Sequence, residues 1–281
     1  MLVTRFAPSP TGHLHLGHAH SALAAWHRAR ASGGKFLLRL EDIDPTRCRP
    51  DYAAAILEDL AWLGLDWSGP PRIQSEHMDD YREVLATLQG RSLLYPCFCT
   101  RADIQRERAA STAAPHGPEG PAYPGTCRHL PEPERQARLA AGTQYALRLN
   151  MAAALAAASA ALHVHDETAG TIAANPAPFG DIVLARKDTP ASYHLCVTHD
   201  DALQGVTLII RGVDLLPATH IHVLLQALMG WPTPAYAHHP LLTDATGRRL
   251  AKRDRAATLR DLREAGRTPD EVRALAEYPK G

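Results

Sequence analysis

Leu2-Val3-Thr4-Arg5-Phe6-Ala7-Pro8-Ser9-Pro10-Thr11-Gly12-His13-Leu14-His15-Leu16-Gly17-His18 stands at the start of the chain and decides its fold. Residues 2–7 alternate apolar and polar side chains and stop at Pro8, which predicts a short strand feeding a loop. An Ala- and Leu-rich run from Leu16 to Ala31, containing Trp26 and closed by Gly33-Gly34, predicts a buried helix with a glycine stop. Phe36 to Leu40 reads as a second strand. Strand, loop, helix and strand in this order form the βαβ pattern of an α/β fold with a parallel sheet, whose ligands sit at the carboxyl ends of the strands.

The position of the loop suggests its chemistry. A helix N-terminus offers unpaired N–H groups and a partial positive charge, so it attracts phosphate, and glycines let the backbone come close. His15 and His18 add donors for a triphosphate. Taken alone, H-x-G-H arises often by chance, and a loop rich in glycine and proline is as readily a plain turn.

Further along, Ile56, Leu57, Leu60 and Leu63 repeat at helical spacing within 51–64, as do Val84, Leu85 and Leu88 within 78–89, predicting two amphipathic helices. Ala, Pro, Gly and Ser dominate from Arg101 to Pro124, the composition of a surface loop with little core. The alanine-rich stretch from Met151 to Leu162 has helix propensity but few large side chains to bury, so it reads as part of a variable insertion. A strand at Thr207–Ile210 and a helix at Thr219–Met229 return the chain to the α/β pattern.

The 281 residues, 45% of them hydrophobic, suffice for one large core or two modest ones. Lys and Arg total 30 and Asp and Glu total 30, which excludes a global positive field; any contact with a polynucleotide is local. No apolar run approaches the roughly 20 residues that cross a bilayer, and the N-terminus has no signal-peptide h-region, so the expectation is a soluble cytoplasmic protein with no membrane partner.

Five cysteines is an odd number, and two of them, Cys97 and Cys99, are close together. In a chain without secretory features this favours metal binding over a disulfide framework. Cys48 and Cys196 read as plain buried thiols. Cys97-Phe98-Cys99 and Tyr123-Pro124-Gly125-Thr126-Cys127 offer three thiolates and a phenol, enough for tetrahedral zinc, although composition equally permits His116 or His129 as the fourth ligand, or buried thiols with no metal.

The run from Arg5 through Gly12 to His18 closely resembles the first signature of the glutamyl-type class I tRNA synthetases. Gly247-Arg248-Arg249-Leu250-Ala251-Lys252-Arg253, in isolation a solvated basic loop, resembles that family's mobile KMSKS loop, with Lys252 placed to contact the triphosphate. It departs from the commoner Lys-Leu-Ser-Lys at Arg249 and Ala251, which removes a hydroxyl that could bond phosphate. The resemblance implies a Rossmann-like core binding ATP, with Mg2+, through His15, Gly17, His18 and Lys252, of which His15, His18 and Lys252 serve catalysis.

It also implies a pocket for L-glutamate. Two carboxylates and an ammonium call for two cations and an acid. By resemblance Arg5, Phe6, Ala7, Pro8 and Ser9 line that pocket from the first loop. Glu41, in Arg39-Leu40-Glu41-Asp42-Ile43-Asp44, similar to R-I-E-D-x-D, holds the ammonium. Tyr193-His194-Leu195-Cys196-Val197-Thr198-His199-Asp200-Asp201 resembles the Y-x-x-A-x-V-x-D-D strand, and Ile209-Ile210-Arg211-Gly212 the I-R-G turn, so Tyr193 and Arg211 complete the set. Singly, each has a blander reading: Tyr193 as ordinary core, Glu41 and Arg211 as an ion pair, Arg5 as a surface cation. Val197 stands where the glutamyl enzymes usually carry asparagine, which predicts weaker glutamate binding.

The form C-x-C then Y-x-x-x-C resembles the zinc site of the short glutamyl-queuosine tRNA(Asp) synthetases, and implies one structural Zn2+ held by Cys97, Cys99, Tyr123 and Cys127. About 28 residues follow the basic loop, too few for an anticodon-reading domain, and this also points to the glutamyl-queuosine family. That family transfers glutamate to queuosine in the anticodon loop of tRNA(Asp), so the anticodon stem-loop is the implied partner, with a monomeric enzyme. The implied organisation is a first half of the core at 1–93, an inserted zinc-containing, acceptor-binding-like subdomain at 94–189, and a second half at 190–281 with the KMSKS-like loop and a short helical tail. A truncated glutamyl-tRNA synthetase charging tRNA(Glu), or a zinc-containing nucleic-acid-binding module without catalysis, are the alternatives.

Overall fold

β1 (Val3–Phe6) and β2 (Lys35–Leu40) pair in parallel, Val3 opposite Lys35 and Phe6 opposite Leu38, with α1 (Leu16–Ala31) as the crossover between them. The structure, a computed structural model, describes residues 1–100, 102–105, 116–117, 120–158, 161–242 and 257–276. α1 ends where Gly34 N–H donates to Ala29 O (2.8 Å); a Cβ on Gly34 would lie 2.2 Å from Leu2 O, so only glycine lets the chain turn this closely into β2.

α2 (Pro50–Trp62) follows, β3 (Arg72–Ile73) adds in parallel to β2, and α3 (Met78–Gly90) leads out of this half. β11 (Leu208–Gly212) pairs in parallel with β12 (Ala235–His239), β12 with β8 (His163–Asp166), and β8 antiparallel with β9 (Gly170–Ala173). The two halves meet where Thr207 N–H donates to Val3 O and Val3 N–H to Thr207 Oγ1, both at 2.9 Å. Across that seam the order is β3-β2-β1-β11-β12-β8-β9. The direction of the order reverses between β1 and β11, and such a point opens a ligand crevice at the strand carboxyl ends.

A separate antiparallel sheet, β10-β7-β4, joins Val183–Ala185, Ala146–Leu149 and Leu94–Cys97. A short hairpin of β5 (His116–Gly117) and β6 (Gly120–Pro121) and the helix α4 (Glu132–Ala140) lie between β4 and β7 in the chain. One core, with Phe6, Leu23, Leu38, Ile56, Leu60 and Leu208, fills the space around α1 and α2. Another, with Tyr81, Leu88, Leu149, Leu184, Leu195 and Leu224, joins α3 to the antiparallel sheet and to α6 (Tyr193–Leu203) and α7 (Leu216–Met229).

Three local expectations change. The segment from Tyr193 to Asp201 is helical, not a strand: Ser192 Oγ accepts from Leu195 N–H as its N-cap, and Tyr193, Val197 and Asp201 share one helical face at four-residue spacing. The alanine-rich stretch forms α5 (Met151–Ala158) and buries Met151, Ala154 and Ala158 in the core beside α7, where small side chains allow close approach. β8 and β9, between residues 163 and 173 and so within the stretch read as an inserted subdomain at 94–189, join the same sheet as β11 and β12. The strands and helices expected at 2–7, 16–31, 36–40, 51–64, 78–89, 207–210 and 219–229 are present, with termini that differ by only a few residues.

Arg39 is fully buried and bonds Asp201 Oδ1 (2.9 Å), Gln204 Oε1 (2.9 Å) and Glu41 Oε1 (3.4 Å). Removing one member of a buried charge network leaves the rest uncompensated, so Arg39→Met should cost about 3–5 kcal/mol of stability. A urea-unfolding midpoint within error of the parent would contradict this arrangement.

Candidate active site

The carboxyl ends of β1, β2, β11 and β12 surround a cavity of ≈ 370 Å³. Arg5, Phe6, Ala7, Pro8 and Ser9 line it from β1 and its loop, Glu41 from the end of β2, Tyr193 and Val197 from α6, and Arg211 from β11. His15, Gly17 and His18 line its other end. Every pocket residue expected from the sequence, apart from Lys252, therefore faces one space. Lys252 and the rest of the segment 243–256 lie outside the described residues. Where the chain resumes, Leu259 N–H donates to Leu14 O (2.8 Å) and Thr258 forms a bridge to His15, so the segment following the basic run is attached to the first loop.

On the phosphate side, His15 is the N-cap of α1. Its Nδ1 accepts from Gly17 N–H (3.1 Å), and His18 Nδ1 accepts from His15 N–H (3.2 Å), a reciprocal capping box. Both rings, tilted at 35° to each other with centroids 3.8 Å apart, thus use Nδ1 as acceptor, and in the neutral form each carries its hydrogen on Nε2 as a donor. A Cβ on Gly17 would lie 3.0 Å from His15 Cε1, so glycine permits the ring to fold over the helix start.

On the other side the charges are ordered by pairing. Asp201 accepts from Arg5 through Nε (2.9 Å) and Nη2 (3.3 Å) and from Arg39 Nη2 (2.9 Å). Burial acts to raise the Asp201 carboxyl, but Arg5 and Arg39 outweigh it and hold it below the ordinary carboxylate range. Glu41 lies at the edge of this network, and burial pushes its carboxyl up against the opposing pull of Arg39 and Arg5. Burial likewise raises the Tyr193 phenol.

Arg211 makes no ion pair with Glu41 or with any other carboxylate among the described residues. It donates to Thr219 Oγ1 (2.5 Å), Leu215 O (3.2 Å) and His238 Nε2 (3.2 Å). Arg5 is buried rather than a surface cation. Two guanidinium groups, a carboxylate and a phenol around one small space suit a ligand that carries both carboxylate and ammonium charges.

A second cavity of ≈ 380 Å³ shares Ser9, Thr11, Glu41 and Tyr193 with the first and extends past Asp44, Arg47, Arg186 and His194. Asp44 accepts from Thr46 Oγ1 (2.6 Å), Arg47 Nε (2.8 Å) and Arg186 Nη1 (3.3 Å), and the bonds from Thr46 and Arg47 hold its carboxyl well below the usual range.

The three cysteine sulfurs Cys97, Cys99 and Cys127 lie within 4.8 Å of one another. Tyr123 Oη is 3.4 Å from Cys97 Sγ and 3.3 Å from Cys99 Sγ, while Cys99 and Cys127 Sγ are 3.4 Å apart. A tetrahedron with Zn–S bonds of ~2.3 Å has edges of about 3.8 Å, and the Tyr123–Cys97, Tyr123–Cys99 and Cys99–Cys127 separations fall within about half an ångström of that. Bonds from Cys97, Tyr123 and Phe98 N–H pull the Cys127 thiol down, so its thiolate is favoured. His129 is exposed and bonded to Arg128 instead; the His116 side chain is outside the described positions. Cys196 is buried, as expected, whereas Cys48 is half-buried on the wall of the second cavity.

Sequence reasoning missed Ser21, Asp214, Leu215, His239, Leu241 and Leu242 in the first cavity, and His222, His238 and Asp166 behind Arg211. A histidine pair at the end of a strand, Tyr236-Ala237-His238-His239, was the available signal for two of these.

Residues 1–275 match the family model described as tRNA synthetases class I (E and Q), catalytic domain. The chain is 46% identical over 279 residues to a protein of Rhodobacter capsulatus named glutamyl-Q tRNA(Asp) synthetase, covering 98% of this chain and 99% of that one. It is 46% identical over 291 residues to a protein of the same name from Symbiobacterium thermophilum, covering 100% and 87%. The crystal structure of a glutamate-tRNA synthetase from Elizabethkingia anophelis superposes with a TM-score of 0.76 at 32% identity over 90% of this chain; the match spans 53% of that protein, about half its length. With its pocket and phosphate loop in one cavity and the family match running through residue 275, the chain belongs to the E and Q family of class I tRNA synthetases.

Proposed function

We propose that this protein activates L-glutamate with ATP and transfers it to the queuosine base in the anticodon loop of tRNA(Asp). The observation that carries the reading is the single cavity in which Arg5, Glu41, Tyr193 and Arg211 face the capped N-terminus of α1. The names of the relatives that match from end to end support the choice of acceptor.

Arg5 and Arg211 bind the carboxylates of glutamate and Glu41 its ammonium, while the α1 N-terminus, the Nε2–H groups of His15 and His18, and Lys252 hold the triphosphate. An α-carboxylate oxygen bonds to the α-phosphorus of ATP and pyrophosphate leaves, so the reaction asks for positioning and charge stabilisation rather than a nucleophilic side chain. Mg2+ bound with ATP would supply charge neutralisation at the phosphate oxygens. The second cavity, which shares Ser9, Glu41 and Tyr193 with the first, suits the nucleoside whose hydroxyl attacks the adenylate carbonyl and releases AMP. Val197 supplies no hydrogen bond on the amino-acid side, consistent with a weakly held glutamate.

Zinc bound by Cys97, Cys99, Tyr123 and Cys127 organises the subdomain around β4; structural zinc contributes on the order of 10 kcal/mol to folding. The protein acts as a soluble cytoplasmic monomer. Among the described residues no helix is long and apolar enough to cross a membrane.

Glutamate-dependent pyrophosphate exchange without RNA is the direct assay. His15→Ala should lower its rate about a hundredfold or more, the cost of a donor aimed at the transition state; a near-parental rate would contradict the assignment. Queuosine-containing tRNA(Asp) lacking its CCA end should still accept glutamate. Charging confined to the terminal adenosine of tRNA(Glu) would favour the ordinary glutamyl-tRNA synthetase reading instead. Metal analysis should find one zinc per chain, Cys127→Ser should lose it and lower Tm, and protein purified without chelators yet free of zinc would remove the metal assignment.

A further inference from the structure

Arg211 differs from the other buried arginines of the pocket in what holds it. Arg5 and Arg39 share the one carboxylate of Asp201, so each is partly compensated within the protein. Arg211 is held by uncharged acceptors: besides Thr219 Oγ1 and Leu215 O, its Nε lies 3.2 Å from His238 Nε2 and its Nη1 3.4 Å from His222 Nδ1. A guanidinium has donors and no acceptor, so both ring nitrogens facing it carry lone pairs, not hydrogens.

For His238 the hydrogen is placed from the opposite side of the ring. Its Nδ1 lies 2.6 Å from Asp166 Oδ2, and an ionised carboxylate only accepts, so the hydrogen sits on Nδ1 and Nε2 is left as the acceptor. Asp166 is itself oriented by the backbone: Thr168 and Ala169 N–H donate to Oδ1, each at 2.9 Å, and His238 N–H donates to Oδ2 at 3.2 Å. His222 carries its hydrogen on Nε2, 3.2 Å from His194 Nδ1. Burial, with Arg211 alongside, holds His222 well below the ordinary imidazole value and His238 below it, so both rings remain neutral acceptors.

We propose that Asp166 and His238 are positioning residues of the amino-acid pocket: the Asp166 carboxylate selects the His238 tautomer that accepts from Arg211, which fixes the guanidinium without neutralising it and leaves its charge for a substrate carboxylate. A carboxylate bonded directly to Arg211 would orient it equally well but would compete with the ligand for the same fork of N–H groups. Setting the acid one imidazole away avoids that competition. Asp166 is supplied by the hairpin β8–β9, which gives a role to a segment with no expected part in the pocket. The inference rests on the reading of Arg211 as a ligand of glutamate.

The test measures KM for glutamate and for ATP separately in pyrophosphate exchange, together with the tautomer of His238 by nitrogen-15 NMR of the intact protein. The wild-type ring should carry its proton on Nδ1; a proton on Nε2 overturns the proposal. Asp166→Asn offers an amide N–H to Nδ1 and drives the ring to the other tautomer, and should raise KM for glutamate about tenfold to a hundredfold, the range for losing a hydrogen bond to a charged group, with KM for ATP unchanged. His238→Gln, whose side-chain oxygen can stand in for Nε2, should retain most of the glutamate affinity that His238→Leu loses, and adding Asp166→Asn to His238→Gln should bring no further rise. Equal rises in both KM values, or the same KM for glutamate in the Gln and Leu variants, overturns the proposal. The Gln and Leu comparison and the tautomer measurement decide the matter even if Asp166→Asn does not fold. If the parent protein shows no dependence on glutamate at all, the functional reading fails by itself, because the tautomer is read without substrate.

Discussion

The Asp201 carboxylate at the end of α6 holds two arginines from neighbouring parallel strands, and the amino-acid side of the site depends on that contact. Arg5 on β1 and Arg39 on β2 would otherwise bring two like charges into the same buried volume. Buried ion pairs of this kind are poor sources of net stability, because desolvation offsets their attraction. Their use here is geometric: one acid fixes the relative placement of β1, β2 and α6, and with them Arg5, Glu41 and Tyr193. Asp200, next in the chain, does the same toward the periphery, accepting from Arg72 Nε (2.9 Å), Gln74 Nε2 (2.9 Å) and Tyr81 Oη (2.8 Å).

The two sides of the cavity meet the same electrostatic demand in different ways. Toward the phosphate end, positive potential comes from a helix start and from histidines that cap it, so no buried charge has to be compensated. Toward the amino-acid end, full charges are present and are either paired, as with Arg5, or held by neutral acceptors, as with Arg211. An ion-paired Arg5 beside an Arg211 that meets no carboxylate among the described residues makes the pocket electrostatically asymmetric.

The antiparallel sheet is organised around another buried acid. Asp181 accepts from Tyr95 Oη (2.6 Å), Arg128 Nη1 (2.8 Å) and Met151 N–H (2.9 Å), tying β4, the cysteine cluster and α5 together. Arg148, 3.9 Å from the centre of the Tyr123 ring, closes the cluster from the strand side. A region with few large apolar side chains thus relies on polar ties and on four metal-ligand candidates.

The sequence alone determined the βαβ start, because alternation over 2–7, an uninterrupted helical run and a glycine stop are local signals that tertiary packing here does not override. It also determined the residue types of the site: a histidine- and glycine-containing loop before a helix, and acids and arginines close to strand ends. It did not determine that Tyr193–Asp201 is helical, since a short stretch with apolar and polar residues on every face has no clear period, and α6 is buried on several sides. Nor could it show which acid neutralises which arginine. Arg5 and Asp201 are 196 residues apart in the chain, and Asp166 and His238 are 72 apart. Only folding brings such groups within hydrogen-bond distance, and it is that proximity, not the identity of either residue, which decides whether a buried cation is held by a shared carboxylate, as Arg5 is, or by neutral acceptors, as Arg211 is.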